Sequence, residues 1–299
     1  MRAIWTDLAM EAKGGPFESE RRGDGIERTV VRIEDERAER ELGRPKGTYV
    51  TLSCPQSMTI DLNTRRALSG EIARTLREML PAKARTVLVT GLGNRSVTPD
   101  ALGPRTVERV LVTRHMDGTL PEDVKRRRGS VCAAAPGVLG VTGIETAEVL
   151  RGMAAHVKPD AVIAIDALAA RDSRRICSTV QIADTGISPG SGVGNHRKAL
   201  TRETLGVPVI AVGVPMVVYA STIARDAVSA LAGGEEGEDE ERLSACVERV
   251  VSERLGEMIV TPREVDALVE RMAGIVAEGL NLALHPGLDA DEIAQMMAQ

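Results

Sequence analysis

Two stretches constrain the fold of this chain more than anything else in it. Ala161-Val162-Ile163-Ala164-Ile165 is apolar without a break, and Val207 to Val214 is strongly apolar. A strand with one face in water alternates polar and apolar residues. A strand without alternation is covered on both faces, as in a sheet sandwiched between helices. Val87-Leu88-Val89 reads the same way, and candidate helices stand between these runs. Leu68, Ile72, Leu76 and Leu80 recur every four residues and stop at Pro81, the spacing of one buried helix face. The alternation predicts an α/β fold, a three-layer sandwich with a largely parallel sheet.

The first fifty residues read as polar and irregular, broken at Gly14-Gly15-Pro16 and Gly23-Asp24-Gly25. Tyr49-Val50-Thr51-Leu52 is a short strand at their end. A helix is expected over 106–113, a strand over 179–182 and a helix over 221–231. Thr142-Gly143-Ile144-Glu145 and Thr261-Pro262-Arg263-Glu264 each set a hydroxyl three residues before a carboxylate, which predicts a capping box at a helix start. The first would lead a stripe of Ile144, Val149, Leu150, Met153 and Val157. The second would lead a face of Val265, Leu268, Val269, Met272 and Val276, a C-terminal helical segment packed back on the main domain. Gly233 to Arg242, with six carboxylates in ten positions, reads as a solvated linker inside one α/β domain over 8–299.

Charge and composition close off several functions. The 299 residues carry 38 Lys and Arg against 43 Asp and Glu, so a surface for direct nucleic-acid binding is not expected. Trp5, Phe17, Tyr49 and Tyr219 are too few aromatics to stack bases. Cys54, Cys132, Cys177 and Cys246 are isolated, which suits a reducing cytosol. No apolar run reaches the ~18 residues of a membrane span, and Met1 to Lys13 holds no signal-peptide stretch. A soluble intracellular protein is expected.

Two glycine motifs fail on chemistry. Gly91-Leu92-Gly93-Asn94-Arg95-Ser96 follows a strand, but Ser96 stands where a dinucleotide fingerprint needs a third glycine. Pro99 and Pro104 also disrupt the helix whose N-terminus would hold a pyrophosphate. Gly186-Ile187-Ser188-Pro189-Gly190 matches G-x-S-x-G, yet Pro189 has no N–H to offer an oxyanion hole. Ser188 therefore reads as a loop residue. His115, His156, His196 and His285 are scattered, so neither a metal nor another cofactor is expected. Lys125-Arg126-Arg127-Arg128 reads as a solvated basic stretch.

Asp100 and Asp166 stand apart. Asp166 ends an otherwise apolar strand, and Asp100 lies ten residues beyond Thr90. Ligands of parallel sheets collect outside the carboxyl ends of the strands, where both carboxylates would lie. On the residues alone they are either an active-site pair or two separate loop caps.

Around these two residues the chain carries a long series of ordered motifs. They include Thr6-Asp7-Leu8-Ala9-Met10-Glu11-Ala12, Gly47 to Leu52, Gly91-Leu92-Gly93-Asn94, Val97 to Pro104 and Val112-Thr113-Arg114-His115. Ala135-Pro136-Gly137-Val138, Thr142 to Thr146, Ala164 to Arg171, Asp184 to Ile187, Pro189 to Asn195 and Thr204 to Ala211 continue it. Val260 to Asp266 and Gly279-Leu280-Asn281 close it. In these stretches the sequence closely resembles the germination protease family, endopeptidases of spore-forming bacteria that degrade small acid-soluble spore proteins. The likeness covers most of 1–12, 47–52, 86–226 and 258–285.

The resemblance implies an atypical aspartic peptidase with Asp100 and Asp166 as its catalytic pair, on a fold related to hydrogenase-maturation peptidases. It also implies a homotetramer in the cytoplasm of the spore core that initiates degradation of small acid-soluble spore proteins at germination. The chain would be made as a zymogen whose propeptide, residues 1–7, is removed by its own cut between Asp7 and Leu8. In two places the chain departs from the family. Tyr219 stands where Asp is usual, and the 233–257 segment is short. Two nearby carboxylates do not ionise together, so one would keep a proton while the other activates water; which does which is open. Gly190, Gly192 and Gly194 either offer backbone N–H groups to an extended substrate or simply connect strands. The alternatives are a metal-dependent maturation-type peptidase on the same fold and a non-enzymatic peptide-binding protein.

Overall fold

The apolar runs are strands, and they lie side by side. The computed structural model describes residues 6–12, 17–21, 25–54, 61–118, 122–188, 197–231, 245–247, 249–251, 253–254 and 258–298. Within them one sheet is built from β1 (Phe17–Arg21), β2 (Glu27–Ile33), β3 (Gly47–Ser53), β4 (Thr86–Gly91), β5 (Ser130–Ala134), β6 (Ala161–Ala170), β7 (Thr179–Ala183), β8 (Val209–Tyr219) and β9 (Ile259–Val260). The order is β1-β2-β3-β7-β8-β6-β4-β5, with β9 added to β8. The centre, β8-β6-β4-β5, is parallel as expected. From β8 outward, β7, β3, β2 and β1 continue as an antiparallel wing.

Both faces of the central strands are covered, which is why their sequences do not alternate. On one face Val87, Val89, Ile163, Ile165, Ile210 and Val212 meet Leu68, Ile72 and Leu76 of the Leu62–Met79 helix and Leu268, Met272 and Val276 of the Val265–Leu284 helix. On the other, Leu88, Val162, Ala164 and Val209 meet Ala147 and Leu150 of the Thr146–Val157 helix and Leu205. The two long helices touch closely: a Cβ on Gly279 would come within 2.6 Å of Ile72. Ser69 Oγ donates to the Ile275 carbonyl at 3.1 Å. The Leu62–Met79 helix starts at Asp61, whose Oδ1 accepts from Thr64 N at 2.8 Å, and ends before Pro81. No described helix is long and apolar enough to cross a membrane.

Several local expectations need correction. The first fifty residues are not irregular, because they supply β1, β2, most of β3 and the Glu36–Leu42 helix. Both capping boxes fail. Thr142 Oγ1 donates within its own turn, to the Val138 and Ile144 carbonyls, and Gly143 at φ +72° ends a preceding short helix. Ile144 is consequently exposed, and the next helix begins at Thr146. Thr261 Oγ1 donates to the Met216 carbonyl of β8 at 2.9 Å, so it ties down the sheet instead of the helix. The helix expected over 106–113 is instead Leu102–Val107, with Pro104 inside its first turn, where no intrahelical N–H is needed. The basic stretch is partly neutralised: Arg128 is buried and pairs with Asp117, and Arg127 pairs with Glu292. The acidic linker at 233–242 lies outside the described residues.

Candidate active site

Asp166 does not end its strand. β6 runs on to Ala170, whereas β4 stops at Gly91, opposite Ile165. Asp166 is therefore the first residue of β6 beyond the cover of β4, which puts it at the carboxyl end of the parallel sheet all the same. The chain leaving β4 turns back at once, and Leu92 N donates to the Ile165 carbonyl at 2.8 Å. It then carries Asp100 on a short 3-10 turn, Thr98–Asp100, directly before the Leu102–Val107 helix.

Glycines make that return possible. A Cβ on Gly93, at φ +106°, would lie 2.0 Å from the Asp100 carbonyl oxygen. A Cβ on Gly103 would lie 2.3 Å from the Leu92 oxygen and 2.7 Å from that of Ile165. These neighbours are backbone and cannot swing aside. Gly103→Ala should therefore destabilise by about 2 kcal/mol or more, the scale of overpacking. Gly152→Ala, in a helix with open space at its Cβ, should stabilise by roughly 0.5–1 kcal/mol. Denaturant midpoints of the two variants check both, and equal midpoints would refute the close approach.

Burial is what sets the two carboxylates. Asp166 is 5% exposed. That burial, then the charges of Asp100 and Asp7, push its carboxyl well above the usual range, against the Ala167 N–H and the Arg197 charge. Burial also raises Asp100, opposed by the Asn94 N–H, which donates to Oδ2 at 2.6 Å, and by Arg197. Asp166 thus stands close enough to Asp100 and to Asp7 to feel the charge of each. Among the described residues no three His, Cys, Asp or Glu side chains group closely enough to hold a metal ion.

Asp7 and Leu8 are not the exposed, weakly structured chain that a terminus suggests. Leu8 is fully buried against Leu168, Ala170 and Val218. Asp7 N donates to the Ala169 carbonyl at 2.9 Å, and Ala169 N donates to Asp7 Oδ2 at 2.8 Å. Glu11 accepts from the N–H groups of Arg171 and Asp172 and pairs with Arg175. The segment is tied along β6, and Asp7 lines a cavity of about 250 Å³ together with Asp166, Gln181 and Gly213.

Of the other candidates, Ser188 is exposed on the rim of this cavity. Gly190, Gly192 and Gly194 lie outside the described residues. Cys177 is buried, and that burial lifts its thiol up to about 12, far from a reactive thiolate. Ser188→Ala and Cys177→Ala should each keep more than half of the peptidase activity, measured as initial rates on a peptide substrate. Loss of nearly all activity in either would point to a nucleophile. Sequence reasoning passed over Gln181 and Arg197. For Gln181 the signal was present: it is an uncharged polar residue inside the run Val180-Gln181-Ile182.

Comparison with known proteins agrees with the sequence likeness. A family model described as germination protease matches residues 7–245 and 230–297. The germination protease of Caldanaerobacter subterraneus subsp. tengcongensis is 44% identical, over 98% of this chain and 98% of its own. That of Clostridium acetobutylicum is 41% identical, with 98% of each chain covered. That of Bacillus mycoides is 40% identical, over 97% of this chain and 95% of its own. Among solved structures, the [NiFe] hydrogenase maturation protease HycI from Thermococcus kodakarensis KOD1 covers 69% of this chain and 98% of its own. Its identity is 18% and its TM-score 0.34, a likeness too slight to build on. The full-length matches decide the matter: this chain belongs to the germination protease family.

Proposed function

We propose that the chain is an aspartic endopeptidase that starts the breakdown of small acid-soluble spore proteins at germination, made as a zymogen that removes residues 1–7 itself. The observation that carries this reading is the meeting of Asp7 with Asp166 in one cavity, beside Asp100. Buried neighbouring carboxyls share a proton because ionising both is costly. The ionised one takes a proton from water, whose oxygen adds to the peptide carbonyl carbon. The other donates its proton as the C–N bond breaks and the amine leaves. The pair titrates as a unit, and the deeper burial of Asp166 supports it as the seat of the shared proton.

The same reading makes the active form a homotetramer in the spore core. The test is intact-mass analysis of the purified chain mixed with a small acid-soluble spore protein at mildly acidic pH, with and without a chelator. Cleavage after an acidic residue followed by an apolar one, unchanged by chelator, is the expected result. Cleavage abolished by chelator would favour the metal-dependent alternative. Tight binding without any cleavage would favour the peptide-binding one.

A further inference from the structure

We propose that Gln181 is the residue that grips the peptide backbone at the bond to be cut; this rests on reading Asp7–Leu8 as a bond the site cleaves. Gln181 Nε2 donates to the Asp7 carbonyl oxygen at 2.9 Å, and its Oε1 accepts from Ala9 N at 2.6 Å. The two contacts fix the orientation of the amide, because a carbonyl only accepts and a backbone N–H only donates. They lie on either side of Leu8. A carboxamide presents donor and acceptor together, as a neighbouring strand does, so it receives extended backbone whatever the side chains are. It refuses a proline at the Ala9 position, which has no N–H.

The register of the sheet explains why Gln181 is the residue in this place. Gln181 of β7 pairs with Gly213 of β8, and Asp166 of β6 pairs with the same Gly213. Side chains of paired residues share a face, so Asp166, Gly213 and Gln181 form one row across three strands, with about 10 Å between its outer members. Gly213 brings no side chain of its own to the row, and Leu168 of β6 lies over it: a Cβ on Gly213 would come within 2.4 Å of that side chain. Asp7 lines the same cavity as all three. The oxygen that Gln181 touches is the one that gains negative charge when water adds to the Asp7 carbonyl carbon. A donor already in place there is worth more in the transition state than in the ground state. Gln181 gives up no proton; the carboxylate pair moves those.

Two measurements test this. In the full-length Asp100→Asn chain, Gln181→Met should speed hydrogen exchange at the Ala9 amide at least tenfold while exchange in β6 stays as it was. Unchanged exchange at Ala9 overturns the grip, whatever happens to the chemistry. In the chain with both aspartates, Gln181→Met should slow formation of the species beginning at Leu8 by about 10²-fold, the usual effect of losing one oxyanion donor. Gln181→Glu should recover rate as the pH falls and its carboxyl again carries a proton to donate. A Gln181→Met rate within twofold of the unaltered chain overturns the role in cleavage. If the unaltered chain never cuts after Asp7, the self-processing reading fails, and the exchange result still decides the grip by itself.

Discussion

Asp166→Asn and Asp100→Asn are each expected to leave a folded chain that has lost at least ~10²-fold of its peptidase rate, the usual worth of a general acid or base. The amide keeps the shape of the carboxyl, and at Asp166 it can still accept from Ala167 N, 3.0 Å away in the native chain. What it cannot do is exchange a proton. The stability effect separates this from simple misfolding. The Asp166 carboxyl is held well above its ordinary value by burial and by Asp100 and Asp7. The native state therefore keeps a proton over a pH range in which the unfolded chain has released it. The resulting stability is fully present below the ordinary carboxylate pKa and is lost as pH rises through the raised one. Asn at 166 has no charge to bury. The melting temperature of Asp166→Asn relative to the unaltered chain should accordingly climb as the pH goes from about 4 towards neutrality. Melts and initial rates on the same samples check both halves. Near-normal turnover in either variant would end the assignment of this pair.

How far the sequence could carry these conclusions depends on whether the information was local. β4, β6 and β8 were legible because burial on both faces leaves an unbroken run of apolar residues rich in Val, Ile and Leu. The antiparallel wing was not. In β2, Glu27, Arg28 and Arg32 share a strand with the buried Val30, Val31 and Ile33, so the segment reads as polar until its partners are known. The two capping boxes had the right spacing, but hydroxyls choose the nearest unpaired carbonyl, and for Thr261 that carbonyl was on β8. Asp100 and Asp166 could be suspected from their place at strand ends, and only the family likeness joined them. Gln181 could not be connected with Asp166 at all, because their relation runs through the register of β7, β8 and β6. Asp7 is the same case: the contacts that tie it to Ala169 span more than 160 positions of chain.

Incubated in mild acid, the unaltered chain should shorten to a form beginning at Leu8, while Asp100→Asn stays at Met1. Intact mass reads this directly, and loss of Trp5, the only tryptophan, gives a fluorescence signal beside it. Acid should favour the cut because the charges of Asp100 and Asp7 both act on the buried Asp166 carboxyl, and the proposed pair would work with one shared proton. The structure adds a constraint that a loose terminus would not. Full burial of Leu8 is worth roughly 2 kcal/mol, and the backbone bonds of Asp7 add to it at about 1 kcal/mol each. The junction is thus already seated, and cutting should be first order, with a rate independent of protein concentration. Active chain mixed with Asp100→Asn should leave the variant untrimmed for the same reason. Trimming of the variant in that mixture, or a rate that rises with concentration, would show cutting between molecules and remove the argument from seating. Hydrolysis itself then loosens the segment. It creates a new carboxylate on Asp7 beside two others and a new ammonium on Leu8 in an apolar surround, and charges so placed are costly to keep buried. Release of residues 1–7 would thus be driven by the products of the proposed cut, and it would vacate the part of the cavity that Asp7 now lines.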